Sequence, residues 1–285
     1  MTYAHLLEKT AEKTQESNEQ RIRYIQAKKW IEYSHAALIL KKLNHLLQPP
    51  ILSLSTQNTP SNLLIIGDNN NGKTELINKF RQRHPVDDLQ PKLKLPVLYL
   101  KASSNADVGQ LYGDILHKLF EPYCHNESIE NKCNRLIHLL RKIDLGMIVI
   151  DEVEYIRFAP HDQQKRYLDA LYSLGKELSI PIVALGTSQV LSIFYTTALL
   201  PSLFNIVFLP RWQYNYEFLR LLTSFEMVLP LKEASHLIEP KLSKSIFIKT
   251  QGKIGEMILL LNKAAIYAIE TGKEKIDISC ISHTS

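Results

Sequence analysis

Gly67-Asp68-Asn69-Asn70-Asn71-Gly72-Lys73-Thr74 is the stretch that decides the fold class. It fits GxxxxGK followed by Ser or Thr, the pattern of a phosphate-binding P-loop, in which backbone N–H groups and a lysine meet an anion at a helix N-terminus. The pattern carries weight only when it joins a strand to a helix. Before it, Leu63-Leu64-Ile65-Ile66 is a short apolar run of the kind that forms a buried parallel strand, and Lys73 to about Gln82 reads as a helix. With only 10 Gly in 285 residues, a chance match in that setting is a poor alternative.

Downstream the alternation continues. Pro96–Leu100, Gly146–Ile150, Pro181–Leu185 and Asn205–Leu209 read as strands; Val108–Phe120, Ile129–Lys142 and Gln163–Leu178 read as helices. Strands alternating with helices predict an α/β P-loop NTPase fold, a parallel sheet sandwiched by helices. From Tyr216 onward only helical patterns occur, at Tyr216–Phe225, Glu233–Phe247 and Gly255–Thr271, which predict a small C-terminal helical domain. Upstream, apolar residues from Ile22 to Leu47 recur at helical spacing, with a break near Tyr33-Ser34, and Pro49-Pro50 ends the pattern. Residues 1–18 are polar and are expected to be frayed. The resulting division is 1–50 as an N-terminal helical extension, 51–212 as the nucleotide-binding core and 213–285 as a helical lid.

Composition narrows the class. The chain has 34 Lys plus Arg against 29 Asp plus Glu, a formal charge of +5, and 45% hydrophobic residues, which is ordinary for a globular protein. Its three cysteines form no CxxC pair; with His125 and His138 nearby, Cys124 and Cys133 fit no structural zinc spacing, so free thiols in a cytoplasmic protein are expected. Leu178–Pro210 has no charged residue, but Pro181, Gly186, Pro201 and Pro210 interrupt it, so it reads as strand, loop, short helix and strand rather than a membrane span.

The chemistry follows from the P-loop. Gly67 to Gly72 would wrap the phosphates, Lys73 would reach the β- and γ-phosphates of ATP, and Thr74 would offer its hydroxyl to Mg²⁺, which prefers hard oxygen ligands. Glu75, in the same helical turn, completes the nucleotide-binding set. Met147–Ile150 is an apolar strand that delivers Asp151 and Glu152 at its C-terminal end, 78 positions after Lys73. Asp151 is assigned to the Mg²⁺ shell and Glu152 to the attacking water. A glutamate in that place suits water as nucleophile, whereas a small-molecule kinase usually has an Arg-rich lid, so hydrolysis is the expected reaction. Thr187, after the Pro181–Leu185 strand, either senses the γ-phosphate or holds the attacking water, or belongs to a plain turn and helix cap.

These residues together resemble the TniB/TnsC group of AAA+ ATPases that regulate DNA transposition. The resemblance rests on Trp30-Ile31-x-Tyr33 with Ala37 and Leu40, on Asn62–Asp68 leading to Asn70–Thr74, on Ile150-Asp151-Glu152, and on Ile180–Val183 with Gly186-Thr187. Leu229-Pro230-Leu231 and Gly252-x-Ile254-Gly255 extend it, so that it covers about residues 20 to 280. It implies an ATP- and Mg²⁺-dependent protein that forms a homo-oligomeric ring or filament on double-stranded DNA. Each ATP would lie between protomers, and the assembly would present the target to a transposase, with a targeting adaptor as a further partner.

Several residue roles come from the resemblance alone. It implies that the N-terminal helices lie near the adenine, that Lys253 in the Gly-Lys-Ile-Gly turn senses nucleotide, and that the loop after Val97–Leu100 faces DNA, which selects Lys101, Ser103 and Ser104. Two stretches are basic, Lys73–Lys101, with Lys79, Arg81, Arg83, Lys92, Lys94 and Lys101 against Glu75, Asp87 and Asp88, and Lys241–Lys253, with four Lys and no acid; a merely solvated face is the alternative for both. The sequence departs from the group at the arginine finger. Leu203 stands where the arginine is expected, and no basic residue occurs between Lys176 and Arg211. Slow hydrolysis follows, unless Arg211 acts in trans; the alternative for Arg211 is a surface ion pair. A nucleotide-gated scaffold that does not hydrolyse ATP is the rival reading.

Overall fold

The computed structural model describes residues 3–27, 30–48, 61–87, 93–124, 127–196 and 203–283. The segments 49–60, 88–92 and 197–202 hold Pro49-Pro50, Asp88 and Lys92, and Pro201, so the readings made on those residues lie outside the described part, as does His125. The chain forms two compact units. One consists of Met1–Ser34, Asn70–Gly72 and Pro210–Ser285, the other of His35–Asn69 and Lys73–Leu209.

The second unit is built on five strands: β1 (Asn62–Gly67), β2 (Leu95–Lys101), β3 (Leu145–Asp151), β4 (Ile182–Gly186) and β5 (Phe204–Leu209). Their order is β2-β3-β4-β1-β5, and every pair is parallel. The central strands are buried along their whole length, β1 and β4 without exception, which is why each reads as a continuous apolar run rather than an alternating one. Helices α3 (Ser34–Leu47), α4 (Lys73–Arg83), α5 (Val108–Lys118), α6 (Ile129–Lys142), α7 (His161–Leu178) and α8 (Gln189–Thr196) belong to this unit apart from Ser34. The core packs β-strand residues such as Leu64, Ile148, Ile150 and Ile182 against Leu111, Ile115, Leu136, Leu140, Tyr167 and Leu171 of α5, α6 and α7. Register fixes the working end of the sheet. Ile66 pairs with Gly186 and Ile150 with Ala184, so β4 ends between the ends of β1 and β3, the edge where open parallel sheets carry their ligands.

The first unit is helical: α1 (Glu8–Lys13), α2 (Asn18–Gln26), α9 (Tyr216–Glu226), α10 (Pro240–Thr250), α11 (Ile254–Glu270) and α12 (Ile278–His283). Its core joins Ile25 of α2 to Phe218, Leu222, Ile246, Met257, Leu261 and Ala265. The break expected near Tyr33-Ser34 is present, since α2 ends at Gln26 and α3 begins at Ser34. Two expectations are corrected here. Residues 3–18 are not frayed: Leu6, Thr10 and Thr14 are buried, α1 forms, and the Leu7 N–H bonds to Met227 O at 3.0 Å. Residues 233–239 are not helical, because the Glu226 carboxylate takes up the N–H groups of Ser235, His236 and Leu237 and the helix begins only at Pro240. Proline suits the first helical position, where its missing N–H costs nothing, and it disfavours helical backbone in the residue before it.

Among the described residues no helix is long and apolar enough to cross a membrane, and no group of three or more His, Cys, Asp and Glu side chains is arranged to hold a metal by itself. Cys124 is exposed, Cys133 half-buried and Cys280 buried, all as free thiols.

Candidate nucleotide site

Within the second unit, β1 ends at Gly67 and α4 opens at Lys73, and a side chain on Gly67 would come within 2.9 Å of Leu209 O, so only glycine lets the strand end so close to β5. Lys73 is buried, and its Nζ donates to Gly67 O at 2.7 Å and Asp68 O at 2.9 Å. Burial pulls the amine below its ordinary pKa, opposed in turn by the charges of Glu154, Asp151, Asp68 and Glu152. A cation held at a P-loop among carbonyl oxygens gains by exchanging them for phosphate oxygens.

The two acids that follow β3 differ in setting. Asp151 is buried; its Oδ2 accepts from Thr74 Oγ1 at 2.6 Å and Tyr99 Oη at 2.8 Å, and its Oδ1 from the Glu152 N–H at 2.8 Å. Thr74 and Asp151, expected as a pair from opposite halves of the sequence, are thus in contact. A hydroxyl and a carboxylate are the hard oxygen donors that Mg²⁺ requires, so these residues fit that ion. Glu152 leaves the strand at φ 60°, a left-handed conformation that costs a non-glycine residue roughly 1–2 kcal/mol. Its Oε1 accepts from Lys101 Nζ at 2.7 Å, so the expected water-activating acid and the expected DNA-contact lysine form one ion pair. That bond raises the Lys101 pKa.

Thr187 follows β4, and its N–H donates to Glu154 Oε2 at 3.3 Å, while its Oγ1 is buried with no hydrogen-bond partner among the described residues. A buried hydroxyl without a partner costs about 1–3 kcal/mol, and a phosphate oxygen or a water fixed beside it would remove that cost. Glu154 itself is buried, a third carboxylate close to Lys73 that the sequence reading passed over. Its signal was available: it stands three residues after Asp151 in a turn that runs Val153–Phe158. Tyr99 was also passed over, because a tyrosine in a β-strand reads as packing.

The remaining expected residues fall as follows. Glu75 is exposed in the first turn of α4, where a negative charge suits the helix dipole; Asp68 is half-buried and Asn69 exposed. Ser103 is half-buried, with its Oγ donating to Gln110 Oε1 at 3.3 Å, and Ser104 is exposed. Leu203 lines an apolar pocket with Ile150, Val153, Leu168, Phe194 and Phe204. It is a packing residue of its own unit. Two exposed rings that were not anticipated follow Glu152 in the chain: Tyr155 and Phe158 stack at 6.4 Å, with the Arg157 guanidinium 4.6 Å over Phe158.

The first unit holds the loop tip Asn70–Gly72. Asn70 and Gly72 have φ of 60° and 84°, conformations that asparagine and glycine tolerate. Asn70 O accepts from the Gly255 N–H at 2.8 Å, Asn70 Nδ2 donates to Glu256 Oε1 at 2.8 Å, and Asn71 Nδ2 donates to Pro210 O at 2.9 Å. Gly255 has no room for a side chain, since a Cβ would lie 2.6 Å from Asn70 O. Lys253, half-buried, caps α11 two residues earlier. Trp30, Tyr33 and Trp212 form an aromatic cluster with ring centroids 6.3 Å and 5.4 Å apart, and a Cβ on Gly72 would be 3.6 Å from the Tyr33 hydroxyl. Trp30 Nε1 is buried without a partner among the described residues, and burial pushes the Tyr33 pKa up to about 12.

A family model described as Bacterial TniB protein matches residues 21–214. No curated protein matches the chain. Solved structures with a similar fold include the Aeropyrum pernix ORC2 protein in ADPNP–ADP complexes, at 15% identity and a TM-score of 0.63 over 92% of this chain and 71% of that one. The Aeropyrum pernix ORC1 protein in complex with DNA is similar at 16% identity and a TM-score of 0.61, covering 92% and 68%. Cdc6p from Pyrobaculum aerophilum gives 15% and 0.63, covering 91% and 69%.

Proposed function

The chain belongs to the TniB family and has the AAA+ fold, and from that premise we propose that it is an ATPase that binds ATP with Mg²⁺, assembles on double-stranded DNA and recruits a transposase to it. The observation that carries the reading is the Thr74–Asp151 contact at 2.6 Å beside the buried Lys73, a P-loop and an acid strand brought to one point. The fold's likeness to an ORC2 protein with ADPNP and ADP and to an ORC1 protein with DNA supports nucleotide and DNA as ligands.

In this reading Lys73 leaves the carbonyls of Gly67 and Asp68 for the phosphate oxygens, and Thr74 with Asp151 holds Mg²⁺, which supplies charge neutralisation at the transferring phosphoryl group. Glu152 takes a proton from the attacking water once its carboxylate is released by Lys101. The Thr187 hydroxyl orients that water or a γ-phosphate oxygen. Lys101, with Ser103 and Ser104, contacts DNA phosphate.

Turnover is slow. Leu203 packs inside its own unit, and the Lys101–Glu152 pair occupies the acid that water needs. These two observations also favour the rival, a nucleotide-gated scaffold. Measuring mant-ATP binding and phosphate release, with and without duplex DNA, separates the readings. Tight binding with DNA-stimulated release slower than ~1 s⁻¹ supports the ATPase; binding without any release supports the scaffold, and no binding overturns both.

A further inference from the structure

Of the three donors on Asp151, two are accounted for: Thr74 belongs to the P-loop, and the Glu152 N–H belongs to the next residue of the chain. The third, Tyr99 Oη at 2.8 Å, is not. Tyr99 lies on β2 opposite Val149 of β3, half-buried, two residues before Lys101, so successive same-face positions of one strand reach the two acids. The Arg81 guanidinium lies 5.2 Å over its ring, on the side of α4.

We infer that Tyr99 is a positioning residue for Asp151: its hydroxyl fixes the rotation of the carboxylate and keeps one donor on Oδ2 when Thr74 turns to the metal. The inference rests on the proposed Mg²⁺ and ATP reading of the same site and adds to it a partner that no P-loop motif contains. Groups that orient a metal-binding carboxylate commonly alter metal affinity 10- to 100-fold when removed. Tyr99 is held on a rigid strand, so loss of its hydroxyl should act on Mg²⁺ and not on the nucleotide alone.

The test is Tyr99→Phe, which keeps the ring and its contact with Arg81. Mant-ATP fluorescence gives the Mg²⁺ concentration for half-saturation and, in EDTA, the metal-free nucleotide affinity; a melting curve gives stability. The expected result is a Mg²⁺ half-saturation raised about tenfold, with metal-free affinity and melting unchanged. On an Asp151→Asn background the same change should have no further effect. Arg81→Gln, which disturbs the ring but leaves the hydroxyl, should not move the Mg²⁺ curve. An unmoved curve in Tyr99→Phe, or an equal shift in Arg81→Gln, overturns the inference. Should the Phe variant not fold, Tyr99→Gln must bind Mg²⁺ more tightly than Tyr99→Leu, and equality overturns it. Wild-type protein that binds no mant-ATP at all overturns the functional reading itself, whereas normal wild-type binding with an insensitive Tyr99→Phe overturns only the role of Tyr99.

Discussion

Thr187 carries a buried hydroxyl with no hydrogen-bond partner among the described residues. Replacing it by valine removes the cost of that atom and keeps the shape, so Thr187→Val should leave the melting temperature unchanged or slightly higher. If the hydroxyl meets water or phosphate in the reaction, phosphate release should fall about 10²-fold while mant-ATP binding holds. A variant with normal turnover returns Thr187 to a plain turn. Lys101 gives a second test at this scale. Lys101→Ala should weaken DNA binding about evenly across sequences and reduce the salt slope by about 1, as one lost phosphate contact does. An unchanged slope would leave Lys101 as the partner of Glu152 and nothing more. Serine and lysine identity alone could not reveal that the DNA candidate and the water-activating acid touch each other. That contact comes from β2 and β3 lying side by side, with Lys101 opposite Asp151.

Among the elements, β1, β3 and β4 were legible because a strand buried on both faces needs no pattern beyond apolarity, β2 and β5 because their runs are apolar although only partly buried, and α6 because its apolar stripe and Ser128 cap are local. Elements held by distant partners were not. The short α1 looks too polar to be fixed, and nothing local marks Arg21 of α2 as a core residue, yet it is fully buried. It donates to Pro230 O at 2.7 Å and 3.0 Å and forms a bidentate pair with Glu274. Removing one member of a buried pair leaves the other uncompensated, so Arg21→Ala should destabilise the protein by about 3–5 kcal/mol. Acid should act on the same pair. Burial pushes the Glu274 carboxyl up, but the Arg21 bonds and charge, helped by Lys232, bring it below its ordinary value of 4.5. A carboxylate depressed in this way adds stability above its unfolded pKa and loses it as the pH falls through the folded one. Melting temperatures should therefore drop below about pH 4.5, and less steeply in Glu274→Gln, whose baseline is already lower.

Taken whole, the molecule is two units that are not two successive segments, because the helical unit gathers residues from both ends of the chain and the loop tip Asn70–Gly72. A linear reading divides a chain where its composition shifts, and neither Arg21 with Glu274 nor Asn70 with Gly255 leaves a mark of that kind. The P-loop needed no such knowledge, since its spacing and its flanking strand and helix are contiguous. The proposed function needs many copies rather than one, and sedimentation on a short DNA duplex tests it directly, with ATP and Mg²⁺, with a non-hydrolysable analogue, and without nucleotide. Large complexes should form with either nucleotide and none without, and those formed with ATP should persist if Leu203 and the Lys101–Glu152 pair slow hydrolysis as proposed. A protein that sediments as a monomer on DNA under all three conditions would contradict it.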